Sequence, residues 1–312
     1  MTSIITNTSA MNALSALREV NDNMATTQDR ISSGLKVGSA KDNAAYFQIS
    51  ETMKGDSSAY ASINEGLTLT KNSVATARLG SETIQDLAQQ FLDKVAFAQG
   101  AAGGQGEIQN DLQELVKQME TTLSQSTFNG DDMLGAGSYS GTFTTEAAVN
   151  GGTGALTSSV NSDATVGVDR NVVTGISRAG TGYATTDIVV GTYDMAELVR
   201  DFKAISTDFE TNATAATGEA FLAGVLASTE GVVGKVSDIA TKLGQSEKSI
   251  ENQQEFLNKL TDNIDSGVGS MIDADMEEEA ARLQALQTQQ QLATQSLSIA
   301  NQAPSNVLSL FQ

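Results

Sequence analysis

Apolar residues recur along most of this chain at helical spacing. From Thr8 they fall at Met11, Leu14, Leu17, Met24 and Ile31, in steps of three and seven. Such steps place one stripe on a helix. The stripe stops at Ser32-Ser33-Gly34, and Gly38 follows, so Gly34 and Gly38 predict a break or hinge. A second helix is expected from near Asp42 to about Ala98, where Ala45, Ile49, Met53, Ile63, Leu67, Val74, Ala77, Ile84, Leu87, Phe91 and Val95 recur. Gly55, Gly66 and Gly80 interrupt it, each weakening it by about 1 kcal/mol relative to alanine. Glycine admits a close neighbour, so all three are read as packing points.

A Gly-rich turn, Ala101–Gly106, leads into Ile108, Leu112, Leu115, Met119 and Leu123. This amphipathic helix should fold back antiparallel on the previous one, because the connection is short. Phe128-Asn129-Gly130-Asp131 ends it with turn chemistry. From about Gly135 to Thr192 helical periodicity is lost. Val166 and Val168, and Ile188 and Val190, alternate with polar neighbours and predict short strands. A short helix follows with Met195, Leu198, Val199 and Phe202. A long one returns from Glu219 with Val225, Val232, Val236, Ile239, Leu243, Ile250, Leu257, Leu260 and Ile264. Gly267 and Gly269 should interrupt it. The last helix is expected over Asp275–Asn301, terminated by Pro304, with an apolar end at Val307, Leu308, Leu310 and Phe311.

The plan is mirrored, with end helix, glycine break and long helix on each side of the middle segment. It predicts a mainly α fold with a small β region: an elongated antiparallel helical rod formed by the N- and C-terminal halves, with a β-rich outer segment. A buried Leu or Ile side chain contributes about 1.5–3 kcal/mol, so the long stripes must bundle. The end helices have only each other in one copy.

Charge sharpens this picture. The formal net charge is -20, yet Leu283–Gln312 and Met1–Leu17 carry no charged side chain. Burying an ion costs several kcal/mol unless it is paired, so neutral ends suit the interior of an assembly. A polar helical tail that happens to lack charge fits the same residues.

Composition excludes more than it assigns. There is no cysteine and no histidine, so thiolate chemistry and the commonest general base and metal ligand are gone. Hydrophobic residues are 39% and aromatics 5%, which suits long helices. The acidic balance argues against nucleic acid and anionic membranes as partners. The N-terminus does not read as a cleaved secretory signal, and no run looks long and apolar enough to span a bilayer. The acidic run Asp273–Glu279 offers oxygen ligands for Ca²⁺, but without EF-hand spacing or its glycine it reads as a helix start whose carboxylates favour the positive dipole end. Carboxylate pairs arise by chance among thirty-eight acids. Gly100–Gly106 lacks the Gly-Lys-Ser/Thr of a phosphate loop. Ser and Thr of residues 136–192 could accept sugars or be ordinary loop residues.

Three stretches carry a family resemblance. Ile31-Ser-Ser-Gly-Leu-Lys-Val-Gly-Ser-Ala-Lys-Asp-Asn-Ala-Ala45 resembles the segment after the first helix of bacterial flagellins. Ser126-Thr-Phe-Asn-Gly130 is similar to their turn after the second core helix, and Asn301–Phe311 to their C-terminal ending. The resemblance covers about residues 1–140 and 215–312.

The resemblance implies a structural subunit that polymerises into the flagellar filament for motility, secreted and extracellular, exported without a cleaved signal. It is not an enzyme and has no cofactor. A zinc protease insert, carried by some flagellins, would need histidines. The second reading is a hook-filament junction protein, which shares similar terminal helices. Residues 1–43 and 270–312 would be the inner helices, 44–139 and 193–269 the long-helix domain, and 140–192 the outer segment. The implied inner assembly residues are Leu14, Leu17, Met24, Ile31, Leu283, Leu286, Leu297, Val307, Leu308, Leu310 and Phe311, with hinges at Gly34, Gly38, Gly267 and Gly269. Implied partners are further copies in a heterologous helical polymer, the export apparatus with a possible chaperone, and hook-associated and cap proteins. The family's innate-receptor epitope maps to Thr83, Ile84, Gln85, Asp86 and Leu87. Detected members usually have arginines where Thr83 and Gln85 stand, so weak or absent detection is expected.

Overall fold

The computed structural model describes residues 7–101, 103–135, 143–161, 169–179 and 182–308. Among the described residues seven helices and six strands follow in order: α1 (Thr8–Ser33), α2 (Ala44–Gly100), α3 (Gln105–Gln125), β1 (Phe143–Thr145), β2 (Ala148–Val149), β3 (Leu156–Thr157), β4 (Val160–Asn161), β5 (Arg170–Ala179), β6 (Gly182–Val190), α4 (Met195–Ser206), α5 (Phe209–Ala213), α6 (Gly218–Ile272) and α7 (Met276–Leu308). The fold is mainly α with small antiparallel strands, as the periodicity predicts. The chain divides into two compact units, residues 59–259 and residues 1–58 with 260–312.

The larger unit is built on heptads. On α2, Leu67, Val74, Ala88 and Val95 keep a seven-residue frame, and Ala77, Ile84, Phe91 and Ala98 keep a second; all are fully buried. On α6, Val225 and Val232 share one frame, while Val236, Leu243, Ile250 and Leu257 share another. Two seven-residue frames on one helix make the seam of a coiled coil, because 3.5 residues per turn keeps both facing the partner. Polar pairs mark the antiparallel register: Asn64 with Asn258 at 2.7 Å, Lys71 with Glu251 at 2.9 Å, Arg78 with Glu247 at 2.6 Å and Gln85 with Ser237 at 3.3 Å. At ~1.5 Å per residue, α2 alone is about 85 Å long.

Helix α3 returns antiparallel along α2, as expected. Lys94 meets Asp111 at 2.5 Å near the turn, and Gly80 lies against Ser126 at the other end. The turn itself needs Gly104, whose φ is +80°. Gly80 is a true packing point, since an added Cβ would lie 2.0 Å from the Ser126 hydroxyl. Gly55 and Gly66 are not: nothing lies within 4 Å of a Cβ built there. Helical periodicity identifies which face a glycine is on but not what approaches it.

The described residues of the middle of the chain form three two-stranded antiparallel pairs: β1–β4, β2–β3 and β5–β6. Ile188 and Val190 lie on β6, while Val166 and Val168 fall outside the described residues. The long hairpin β5–β6 is tied to the helices. Tyr60 donates its hydroxyl to the Ile176 carbonyl at 2.9 Å, and the Gln253 side chain donates to the Thr174 carbonyl at 2.9 Å. Val172 and Val190 join the same core as the helices. Helix α4 closes that core, capped by Asp194, whose carboxylate accepts from the Glu197 amide at 3.1 Å. Phe202 of α4 meets Phe91 edge to face, centroids 5.0 Å apart.

The Phe128–Asp131 turn has positive φ at Asn129 and Gly130, as a type I′ turn requires. It also presents a carboxylate. The Asp131 carboxylate accepts hydrogen bonds from both terminal guanidinium nitrogens of Arg170 and from the Ser73 hydroxyl, tying the turn to β5 and α2. The Arg170 guanidinium holds the Asp131 carboxyl below its ordinary value against a smaller opposing effect of burial. A lowered native pKa means stabilisation that is complete above about pH 4 and lost as pH falls through the native value. Asp131→Asn should therefore lower stability at neutral pH and lose less on acidification to about pH 3 than the parent chain. Parallel acid limbs in urea unfolding would contradict this.

Three sequence expectations are corrected. Helix α6 runs through Gly267 and Gly269 to Ile272, so these glycines do not interrupt it. Glycine costs a helix only about 1 kcal/mol, which the surrounding 55-residue helix absorbs. Pro304 does not terminate α7, which continues to Leu308. Finally, α6 is long and apolar enough to cross a membrane by length and composition. Its heptad valines and leucines instead enter the protein core.

Candidate assembly interface

The second unit contains the neutral ends. In it α1 and α7 pair antiparallel. The covered positions on α1 are Ala10, Ala13, Leu17, Val20, Met24, Thr27 and Ile31, and on α7 Glu279, Leu283, Leu286, Gln290, Ala293, Leu297 and Ala300. Both series step by three and four, the spacing of a narrow coiled-coil seam. Most of the side chains are small or half-buried, so the seam is thin.

Polar groups close it at intervals. Asn7 donates its side-chain N–H to the Ala300 carbonyl at 2.7 Å. Gln290 donates to the Asn21 side chain at 2.7 Å, and Arg30 meets Glu279 at 3.1 Å. Glu279 is buried, with Oε2 lacking a hydrogen-bond partner, so Arg30 carries the burden of its charge. Sequence reasoning missed these polar partners. The three-four spacing of Gln and Asn with the small residues was the available signal.

The glycine break is structured. Gly34 caps α1 with φ +73°, and its amide donates to the Arg30 carbonyl at 2.8 Å. That left-handed cap suits glycine. The chain then pairs with the α6–α7 connection. The Lys36 amide donates to the Ile272 carbonyl at 2.6 Å, and the Ala274 amide to the Gly34 carbonyl at 2.9 Å. Val37, Val268 and Ile272 form a small core here, with Leu35, Phe47 and Met53 against it. The Gly38 amide donates to the Asp42 carboxylate at 3.2 Å, as do the Ser39 amide and hydroxyl. The Ser39 hydroxyl is the chief reason the Asp42 carboxyl titrates below its ordinary value. Asn43 caps α2, accepting from the Ala45 amide at 3.1 Å. Gly267 touches only the end of Met53, and Gly269 lies beside the Asp273 carboxylate. In the acidic run, Asp275 accepts the amides of Glu277 and Glu278, which makes it a helix cap.

The residues singled out from the sequence divide sharply. Leu17, Met24, Ile31, Leu283, Leu286 and Leu297 sit on the seam. Leu14 does not; it is exposed, as is Met11. Val307 and Leu308 lie on the last turn of α7, while Leu310 and Phe311 fall outside the described residues. On α7, Leu292 is 58% and Ile299 70% exposed. Each end helix therefore carries apolar side chains that its partner leaves open, on a segment without charge. Thr83 and Asp86 are exposed on α2, Gln85 bonds Ser237, Leu87 packs against the core of the larger unit, and Ile84 is buried within it.

Residues 4–138 match the bacterial flagellin N-terminal helical region, and residues 226–311 the bacterial flagellin C-terminal helical region. Flagellin C of Rhizobium meliloti is 36% identical, with 100% of both chains covered. The flagellin of Brucella melitensis is 33% identical, again over 100% of both. Among solved structures, a protein described as flagellar hook-associated, from Vibrio parahaemolyticus, superposes with a TM-score of 0.52 at 13% identity, covering 74% of this chain and 100% of that one. That likeness concerns fold alone. Matching end regions and full-length relatives place the chain in the bacterial flagellin family, the structural subunits of the extracellular flagellar filament.

Proposed function

We propose that this flagellin enters the filament by burying the faces of α1 and α7 that a single copy leaves open. The observation that carries this is the exposure of Met11, Leu14, Leu292 and Ile299 within the stretches of α1 and α7 that hold no charged side chain. Neighbouring copies would cover them through heterologous contacts, which propagate as an open helical polymer. In this reading residues 1–43 and 270–312 are innermost, 44–139 and 193–269 form the next layer, and 140–192 face outward. Val307, Leu308, Leu310 and Phe311 extend the inner contact. Gly34, Gly38, Gly267 and Gly269 mark where the inner helices adjust to neighbours. Export through the flagellar secretion apparatus, with a possible chaperone, precedes assembly beneath a cap and beyond hook-associated proteins. Neither nucleic acid nor membrane is a partner.

Electron microscopy after salt-induced polymerisation tests the reading. Long filaments from the purified chain are expected, since salt screens mutual repulsion of an acidic subunit. A chain that stays monomeric, as a junction protein would, overturns it. Thr83 and Gln85 place no cation on the exposed side of α2, so a receptor-reporter assay with monomer should give a weak or absent response. A full response would contradict this.

A further inference from the structure

We propose that Asn7 and Pro304 form a latch that sets the register of α1 on α7 and thereby selects correctly paired subunits for assembly. The proposal rests on the filament-subunit reading. In an α-helix the amide of residue 304 would donate to the carbonyl of residue 300. Residue 304 is proline and has no N–H, although α7 continues to Leu308. The Ala300 carbonyl is therefore without its helical donor in the interior of a helix, not at its frayed end.

Asn7 supplies the missing donor, its amide nitrogen lying 2.7 Å from that carbonyl. The oxygen of the same side chain accepts from the Ala10 amide at 3.1 Å and caps α1. Asparagine is the uncharged side chain that carries donor and acceptor on one short fork. It meets both needs without bringing an ion into a neutral region.

The latch answers a problem built into the seam. The apolar part of the seam is a three-four pattern that repeats every heptad, so a slip of seven residues costs its apolar contacts little. Such a slip would set Asn7 against the carbonyl of Ala293, which already receives the amide of Leu297 within α7. In the native register Asn7 meets a carbonyl left vacant by proline. Gln290 with Asn21 and Arg30 with Glu279 support the same register further along. Pro304 thus acts as a register mark rather than a stop.

The test compares the full chain with Asn7→Ser, alone and combined with Pro304→Ala. Serine caps a helix as well as asparagine and is neutral, but it is too short to reach α7. Asn7→Ser should raise the critical concentration for salt-induced polymerisation roughly five-fold, the effect of one lost hydrogen bond. In the Pro304→Ala background residue 304 supplies its own amide, so the same change should have less than half that effect. A variant that fails to polymerise alone is mixed with excess parent chain, and its share of the filament is read by mass spectrometry. Its incorporation should fall several-fold. Parent-like behaviour of Asn7→Ser, or equal losses in both backgrounds, overturns the latch. If the parent chain itself forms no filaments, the filament-subunit reading fails first.

Discussion

Removing Leu283–Gln312 should abolish polymerisation and leave the larger unit folded. Among the described residues, the buried members of the main core run from Leu67 to Leu257, with Tyr60 and Ile63 packed against them, so the deletion takes none of these. What is lost is most of the α7 side of the seam, from Leu283 onward, including the Asn7 and Gln290 contacts. Helix α1 then keeps its 26 residues but only the Arg30–Glu279 end of its seam. An isolated helix of this kind is marginal in water, so α1 should melt. Circular dichroism should show loss of helix beyond the deleted segment. The thermal transition of the remaining core should keep its midpoint, and sedimentation should report monomer at every salt concentration. Filaments from the shortened chain would defeat the assignment of these helices to subunit contact.

The second large effect concerns the core. Phe202→Ala should destabilise the larger unit by about 3–5 kcal/mol, the usual cost of truncating a buried phenylalanine. Phe202 is fully buried and meets Phe91, so its removal opens a cavity and an aromatic contact at once. Phe97→Ala on the same helix as Phe91 should move stability by no more than about 0.5 kcal/mol, because Phe97 is 67% exposed. Urea unfolding of the monomer reads both. Similar costs for the two substitutions would mean that this side of the core is wrongly placed.

These expectations separate two kinds of strength. The larger unit is held by apolar burial along two seven-residue frames and by α3 and α4 laid on them. The α1–α7 pair is held by a thin seam and a few polar bonds. A strong interior suits a part that must survive alone, and a weak pairing suits ends that are to be completed by other copies.

The amino-acid sequence by itself determined the helices, the glycine break at Gly34 and the neutral ends. Each of these is a local property: a spacing, a left-handed cap, an absence of ions. It also put Leu14, Leu17, Met24 and Ile31 on one stripe, because helical spacing selects a face. It could not decide whether Gly55, Gly66 or Gly80 meets a neighbour, or that Gly267 and Gly269 stay within α6. Those outcomes depend on atoms distant in the chain. Only the tertiary structure showed that Leu14 lies off the seam and that Arg170 and Ser73 converge on Asp131. It also turned Pro304 from a stop into a vacant acceptor, because a missing N–H is legible in sequence while the group that replaces it lies almost three hundred residues away.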